Sequence, residues 1–288
     1  RAVAMVDSPE QVSLLSVAAV ERGVTVPLCI DLDVSLRMLG GAVHLGVRRS
    51  PLRDLASARE LAHRIRATPA VALVGVMAYE AQVAGLPDRV PGQALLDPIR
   101  RGIKARSRPL AARRRSELVE ALRADGFDID LVNGGGTGSL AATSADGSCT
   151  EVTAGSGFYC PSLFDGYDDL PLQPAAWFAL PIVRFPDADH VTCGFGGWTA
   201  SGPADASRAA TVHSPPGLSP LGMEGFGEVQ TPFRRGPGAP ELRLGDPVIC
   251  RHAKAGELME HVAEVLLVSG DQVLEVAPTM RGLSLPFG

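Results

Sequence analysis

Apolar residues in the first half of the chain fall in short blocks, each closed by an acid or by glycine, with stretches of helical period between them. Residues 2–6 end at Asp7, residues 26–30 end at Asp31, residues 71–76 run on to Tyr79 and Glu80, and residues 128–132 lead into a run of glycines. Apolar blocks of this length without strict alternation predict strands buried on both faces. Ser8, Pro9 and Gln11 form a helix start, with Ser8 as cap and Pro9 in the first turn, and Gly23 is a stop. Residues 54–65 have the spacing of an amphipathic helix. Residues 107–125 predict a basic helix with Pro109 in its first turn, Leu110, Leu118, Val119 and Leu122 inward, and arginines on a solvated face with Glu117 and Glu120. Residues 43–47 read as a short extended piece, residues 81–106 as a polar loop, and residues 150–153 as one more strand.

Strand and helix therefore alternate, with polar or glycine-rich residues at strand C-termini, which is the pattern of parallel βαβ units. About five such strands are visible, where a closed (β/α)8 barrel has eight. The expected fold class is α/β: an incomplete (β/α)8 TIM-like barrel over residues 1–170, with an open doubly wound sheet as the alternative. From Phe178 the pattern changes to short strands at 179–183, 191–193, 247–250, 265–268 and 272–276, separated by Gly, Pro and Asp turns. This predicts a β-rich C-terminal domain over residues 171–288, with residues 202–243 as a long loop.

Composition narrows the function. A net charge of −5 and a pI near 5.7 argue against a nucleic-acid partner. No apolar run has the length of a membrane span and no signal peptide is visible, so no membrane partner is expected. Five scattered cysteines without a Cys-x-x-Cys pair fit reduced thiols of a cytoplasmic protein. Lysine occurs only at Lys104 and Lys254, among 27 lysines and arginines. The chain starts with Arg1 and its first block reads as a strand interior, so a fragment cut inside a domain is expected.

Candidate chemistry gathers at two loops. Asn133-Gly134-Gly135-Gly136-Thr137-Gly138-Ser139 follows a strand in a βα context, where glycines let backbone N–H groups approach an anion and hydroxyls add donors. It matches neither the P-loop nor the dinucleotide fingerprint. Ala154-Gly155-Ser156-Gly157 follows the next strand, and two such loops at adjacent strand ends would flank one phosphate. A glycine loop without a ligand is the competing reading. Farther on, Arg251-His252-Ala253-Lys254-Ala255-Gly256-Glu257 offers acid–base groups or an ordinary surface turn. Asp31, Asp33 and Arg37 form a charged cluster at a strand end, read as groups that tie one another down.

These segments together resemble the fold-type III pyridoxal-phosphate enzymes, and within them the D-threonine aldolase, D-serine dehydratase and alanine racemase-like group. The resemblance is carried by Ile30-Asp31-Leu32-Asp33 with Arg37 and Gly40, by Gly75-Val76-Met77-Ala78-Tyr79-Glu80, and by the two glycine loops. In the second half it is carried by Cys193-Gly194-Phe195-Gly196-Gly197, Gly245-Asp246, His252 and Pro278-Thr279-Met280-Arg281-Gly282. It implies pyridoxal 5'-phosphate held by Gly135, Gly136, Thr137, Gly138, Ser139, Gly155, Ser156 and Gly157, with Tyr79 near the cofactor ring. It implies a lyase or deaminase acting on small D-amino acids as a homodimer, with Tyr79, His252 and Lys254 as candidate catalytic residues. A non-catalytic homologue and an amino-acid racemase are the alternatives. The resemblance places the cofactor lysine after the first barrel strand, hence upstream of Arg1 here, so this chain alone is expected to be inactive. It also implies a divalent metal bound through His-x-Asp or His-x-Cys. Here His252-Ala253-Lys254 puts a cation at the second ligand, so no metal residue is assigned.

Overall fold

The computed structural model describes residues 2–202, 206–254 and 256–284. Two compact units share the chain: residues 1–155 with 166–171, and residues 156–165 with 172–288.

The first unit runs β1 (Ala4–Val6), α1 (Pro9–Glu21), β2 (Val26–Asp31), β3 (Leu36–Met38), β4 (Val43–Leu45), α2 (Leu55–Arg66), β5 (Val71–Ala78), α3 (Ala81–Ala84), α4 (Asp97–Ala124), β6 (Leu131–Gly134), α5 (Leu140–Ala145) and β7 (Glu151–Val152). β1, β2, β5, β6 and β7 lie side by side in that order, all parallel, so every strand's C-terminus reaches the same edge. These are the five strands that the apolar blocks predict. β3 and β4 form a separate antiparallel hairpin. The start of α1 matches its signature: Ser8 Oγ accepts the Gln11 N–H, while Gln11 Oε1 reaches back to the Asp7 N–H. On α2, Ala58, Leu61, Ala62 and Ile65 recur at helical spacing and pack against Leu28, Ile30 and Val76 of the sheet.

Two expectations are corrected here. The basic helix begins at Asp97, ten residues earlier than predicted, so Pro109 lies in its interior. The 81–106 segment is therefore no continuous loop, since it holds α3 and the first turns of α4. The early half of α4 has no apolar stripe, because its buried face is ionic. Arg100 bonds Asp97 and the Gln93 side chain, and Lys104 bonds Asp88 at 2.6 Å. Nor is the arginine face wholly solvated, since Arg115 is among the most buried side chains of the chain.

The second unit runs β8 (Phe178–Asp187), β9 (His190–Gly194), β10 (Thr211–Ser214), β11 (Leu218–Pro220), β12 (Gln230–Arg235), β13 (Pro247–Arg251), β14 (Glu264–Ser269) and β15 (Gln272–Pro278). Six strands make one antiparallel sheet in the order β10-β13-β8-β9-β12-β11, and β14 pairs with β15. Leu180, Ile182, Val191, Cys193, Phe233, Val248 and Cys250 fill its core. The expected 202–243 loop is corrected as well. It contains β10, β11 and β12, which Gly and Pro keep too short to show an apolar alternation; residues 203–205 lie outside the described part. No described helix is long and apolar enough to cross a membrane.

Candidate active site

Because the five strands are parallel, their C-terminal residues share one rim: Asp31 ends β2, Tyr79 and Glu80 follow β5, and Gly134 ends β6 at the start of the glycine loop. In a parallel sheet this rim is where ligands bind.

The glycine loop is organised around an anion that belongs to the protein. The Glu80 carboxylate, 2% exposed, accepts the Gly135 N–H at 3.2 Å, the Ser139 hydroxyl at 2.8 Å and the Thr143 hydroxyl. Arg115, 1% exposed, completes this cage at 2.7 Å and also donates to the Ala78 carbonyl, Ser148 and Asp146. The Gly136 N–H donates to Ser139 Oγ, and the Ser139 N–H to the Gly136 carbonyl. Gly135, Gly136 and Ser139, expected to hold a phosphate, use these donors internally. Nothing in the sequence singles out Arg115, one basic residue in a basic run. Glu80 carried a signal: an acid directly after a buried strand and a tyrosine.

The loop's glycines are required by packing. A Cβ at Gly138 would lie 2.2 Å from the Ala84 carbonyl oxygen and 2.3 Å from the Tyr167 ring, and one at Gly136 would press on Ala84 and the Tyr79 ring at 3.0 Å. Gly135 has φ +77°, in the left-handed region that favours glycine. Gly155 has nothing within 4 Å of its missing Cβ.

Tyr79 is half-buried with one ring edge against Gly136, and the Arg49 guanidinium lies 5.5 Å from its ring centroid. Burial raises the pKa of its hydroxyl, so the phenol stays neutral at physiological pH. Tyr79 and Arg49 line a cleft with Asp31, Asp33, Val47, Ser50 and Met77. Burial pushes the Asp31 carboxyl up to about 6, and Asp7 and Asp33 add to the shift while Arg49 opposes it. Asp33 is held by Arg37 at 2.8 Å and by the Ser35 N–H, the mutual tie expected of that pair.

Neither lysine is a free amine at the rim. Lys104 is 2% exposed, paired with Asp88 and 4.9 Å from the Tyr167 ring centroid. Lys254, in the second unit, donates to Ser201 Oγ at 2.7 Å, and Ser201 donates its N–H to Glu257. His252 lies nearby in sequence, 5% exposed and edge-on to Tyr159 at 6.3 Å between centroids. Burial lowers the pKa of its imidazole, against an opposing pull from the Ala176 backbone, which favours the neutral ring. Residues 156–165 are fastened to this region. Ser162 and Leu163 donate to the carbonyls of His252 and Ala253, and Arg251 forks onto Asp165 at 2.8 Å and onto the Cys160 carbonyl. Ser156 and Gly157 belong to the second unit and Gly155 to the first. Among the described residues no three His, Cys, Asp or Glu side chains are grouped to hold a metal ion.

Parallel β/α units followed by an antiparallel β unit form the architecture of the fold-type III pyridoxal-phosphate enzymes, and the resemblance seen in the sequence holds at the level of the fold. The D-threonine aldolase of Filomicrobium marinum superimposes with a TM-score of 0.76 and 17% identity, over 96% of this chain and 69% of that one. The D-threo-3-hydroxyaspartate dehydratase of Delftia sp. HT23 does so with a TM-score of 0.65 and 17% identity, over 96% and 71%. In sequence the chain is 27% identical to a D-threonine aldolase of Arthrobacter sp. over 191 residues, 65% of this chain. That match spans 44% of the curated relative's length. No protein-family model matches the chain.

Proposed function

We propose that this chain carries part of the active site of a pyridoxal-phosphate-dependent lyase or deaminase acting on small D-amino acids. The sequence match to a D-threonine aldolase carries the reading, since it covers 65% of the chain. The glycine loops that follow β6 and β7 are where the cofactor phosphate is proposed to sit. Gly135, Gly136 and Ser139 are committed to the Glu80 cage. Thr137 and Gly138 of the same loop and Gly155 are proposed to take the phosphate, and open space at Gly155 supports its place beside them. Tyr79 offers a flat face and a neutral hydroxyl for the ring.

When bound, pyridoxal phosphate supplies an electron sink for a developing carbanion. The residues of this chain do the rest of what is proposed. Tyr79 orients the ring and donates a hydrogen bond from Oη. His252, kept neutral by burial, acts through a hydrogen bond from its imidazole. Lys254 contributes a positive charge without serving as cofactor lysine, because its ammonium is held by Ser201. With Lys104 buried on Asp88, these 288 residues by themselves turn over no substrate. A homodimer belongs to the reading, supported by the exposed Leu266, Leu274 and Val276 of the β14–β15 pair. A cytoplasmic setting is supported by five free thiols.

Titrating the chain with pyridoxal phosphate, followed by absorbance, tests the reading. Saturable binding that Thr137→Val and Gly155→Asp each weaken supports it. Absence of binding, or binding indifferent to both changes, overturns it. Sedimentation tests the homodimer separately.

A further inference from the structure

The segment around Arg49 is pinned on both sides, yet Arg49 itself is left uncommitted. Ser35 Oγ donates to the Val47 carbonyl at 3.2 Å, Ser50 Oγ to the Asp31 carbonyl at 2.6 Å, and the Asp33 N–H to the Leu52 carbonyl at 2.9 Å. These bonds fix residues 47–52 against the end of β2. Arg49 is exposed, its guanidinium rests over the Tyr79 ring, and no described carboxylate lies within ion-pair distance of it. Arg37, by contrast, is occupied by Asp33, and Lys254 by Ser201. A planar guanidinium braced on an aromatic face, with its fork unpaired, suits a carboxylate.

The cleft's other charges restrict which carboxylates fit. Asp31 comes from β2 and Asp33 from the turn after it, and both line the cleft; Asp33, with Asp7 at the end of β1, adds negative field at Asp31. Asp33 is neutralised by Arg37, which leaves Asp31 as the cleft's other acid, beside the one cation Arg49. A ligand with a single carboxylate satisfies Arg49, and its amino group is welcome beside Asp31. A second carboxylate would meet like charge in a partly desolvated cleft.

We propose that Arg49 anchors the α-carboxylate of the amino-acid substrate, and that Asp31 makes the cleft selective for amino acids with uncharged side chains over dicarboxylic ones. This deepens the reading given under Proposed function and rests on it for the identity of the site.

The test is calorimetric binding of D-threonine, D-threoninamide and D-aspartate at pH 8 to the wild-type chain, Arg49→Gln and Arg49→Lys. Pyridoxal phosphate binding to each is measured separately. The expectation is that Arg49→Gln weakens D-threonine at least tenfold, that Arg49→Lys restores part of the loss, and that D-threoninamide is insensitive to the change. D-Aspartate binds the wild type at least tenfold more weakly than D-threonine. Undetectable D-threonine binding to the wild type, equal binding to Arg49→Gln, or D-aspartate as tight as D-threonine each overturns the proposal. If D-threonine binding depends on Arg49 while pyridoxal phosphate does not bind, the cofactor reading fails and the carboxylate anchor stands. The reverse result separates them the other way.

Discussion

Glu80 and Arg115 face each other at 2.7 Å with almost no solvent access, and the glycine loop is folded around their pair. Removing one partner leaves the other as an uncompensated buried charge. Arg115→Met should cost about 3–5 kcal/mol. Glu80→Gln in the same background should recover part of that loss, because a neutral amide can keep hydrogen bonds from Gly135 and Ser139. Urea unfolding of the two single variants and the double variant measures both effects.

Packing should separate the two glycine loops. Gly138→Ala drives a Cβ into the Ala84 carbonyl and should destabilise by about 1–3 kcal/mol. Gly155→Ala meets open space and should stay within about 0.5 kcal/mol of the wild type. Equal thermal stability of these two variants would refute this account of the first loop.

Reduction with borohydride after incubation with pyridoxal phosphate should label neither lysine stoichiometrically. The amine of Lys104 is buried on Asp88 and that of Lys254 is bonded to Ser201. Peptide mass mapping reads the result, and one clean modification at either position would contradict it.

Asp31 should make stability fall as pH rises. Its carboxyl is pushed to about 6 from an ordinary 3.8, so between these values the folded state binds more protons than the unfolded one. The penalty is absent below about pH 4 and complete above pH 6. Asp31→Asn should therefore gain about 1–2 kcal/mol at pH 8, discounted for partial solvent access, and nothing at pH 4. Denaturant midpoints at the two pH values test the sign.

The second unit should not retain zinc or manganese after dialysis. An ammonium two residues beyond His252 has no lone pair and repels a divalent ion. Cys250 offers little compensation, since burial pushes its thiol up to about 12. Elemental analysis of the wild type should find no stoichiometric metal, whereas Lys254→Asp should raise zinc affinity. Stoichiometric metal in the wild type would count against the placement of Lys254.

The five parallel strands were legible because each is an apolar block ended by a polar residue, and α2 because its apolar positions repeat at helical spacing. The first half of α4 was not, since its buried positions are the polar Arg100, Lys104 and Ser107, the first two buried through pairing and hydrogen bonding, and they leave no apolar period. β10, β11 and β12 were hidden by Gly and Pro between very short strands. At the site, the glycine loop was visible but its occupant was not. A motif that cradles an anion looks the same whether the anion is a ligand or Glu80. Arg49 carried no sequence signal at all, because its placement over the ring of Tyr79, thirty positions away, and the bonds that fix its neighbours are tertiary.

The chain crosses between its two units at residues 155–156, 165–166 and 171–172. A single cut therefore cannot yield two whole halves. A product ending at residue 155 would lack Tyr167, whose hydroxyl bonds the Ala84 carbonyl, and Asp168, whose N–H bonds Asp88. The Lys104–Asp88 pair would lose its cover, and Gly138 the ring it packs against. The short return of residues 166–171 acts as a strap, and anyone dividing this protein for expression must carry that strap with the first unit.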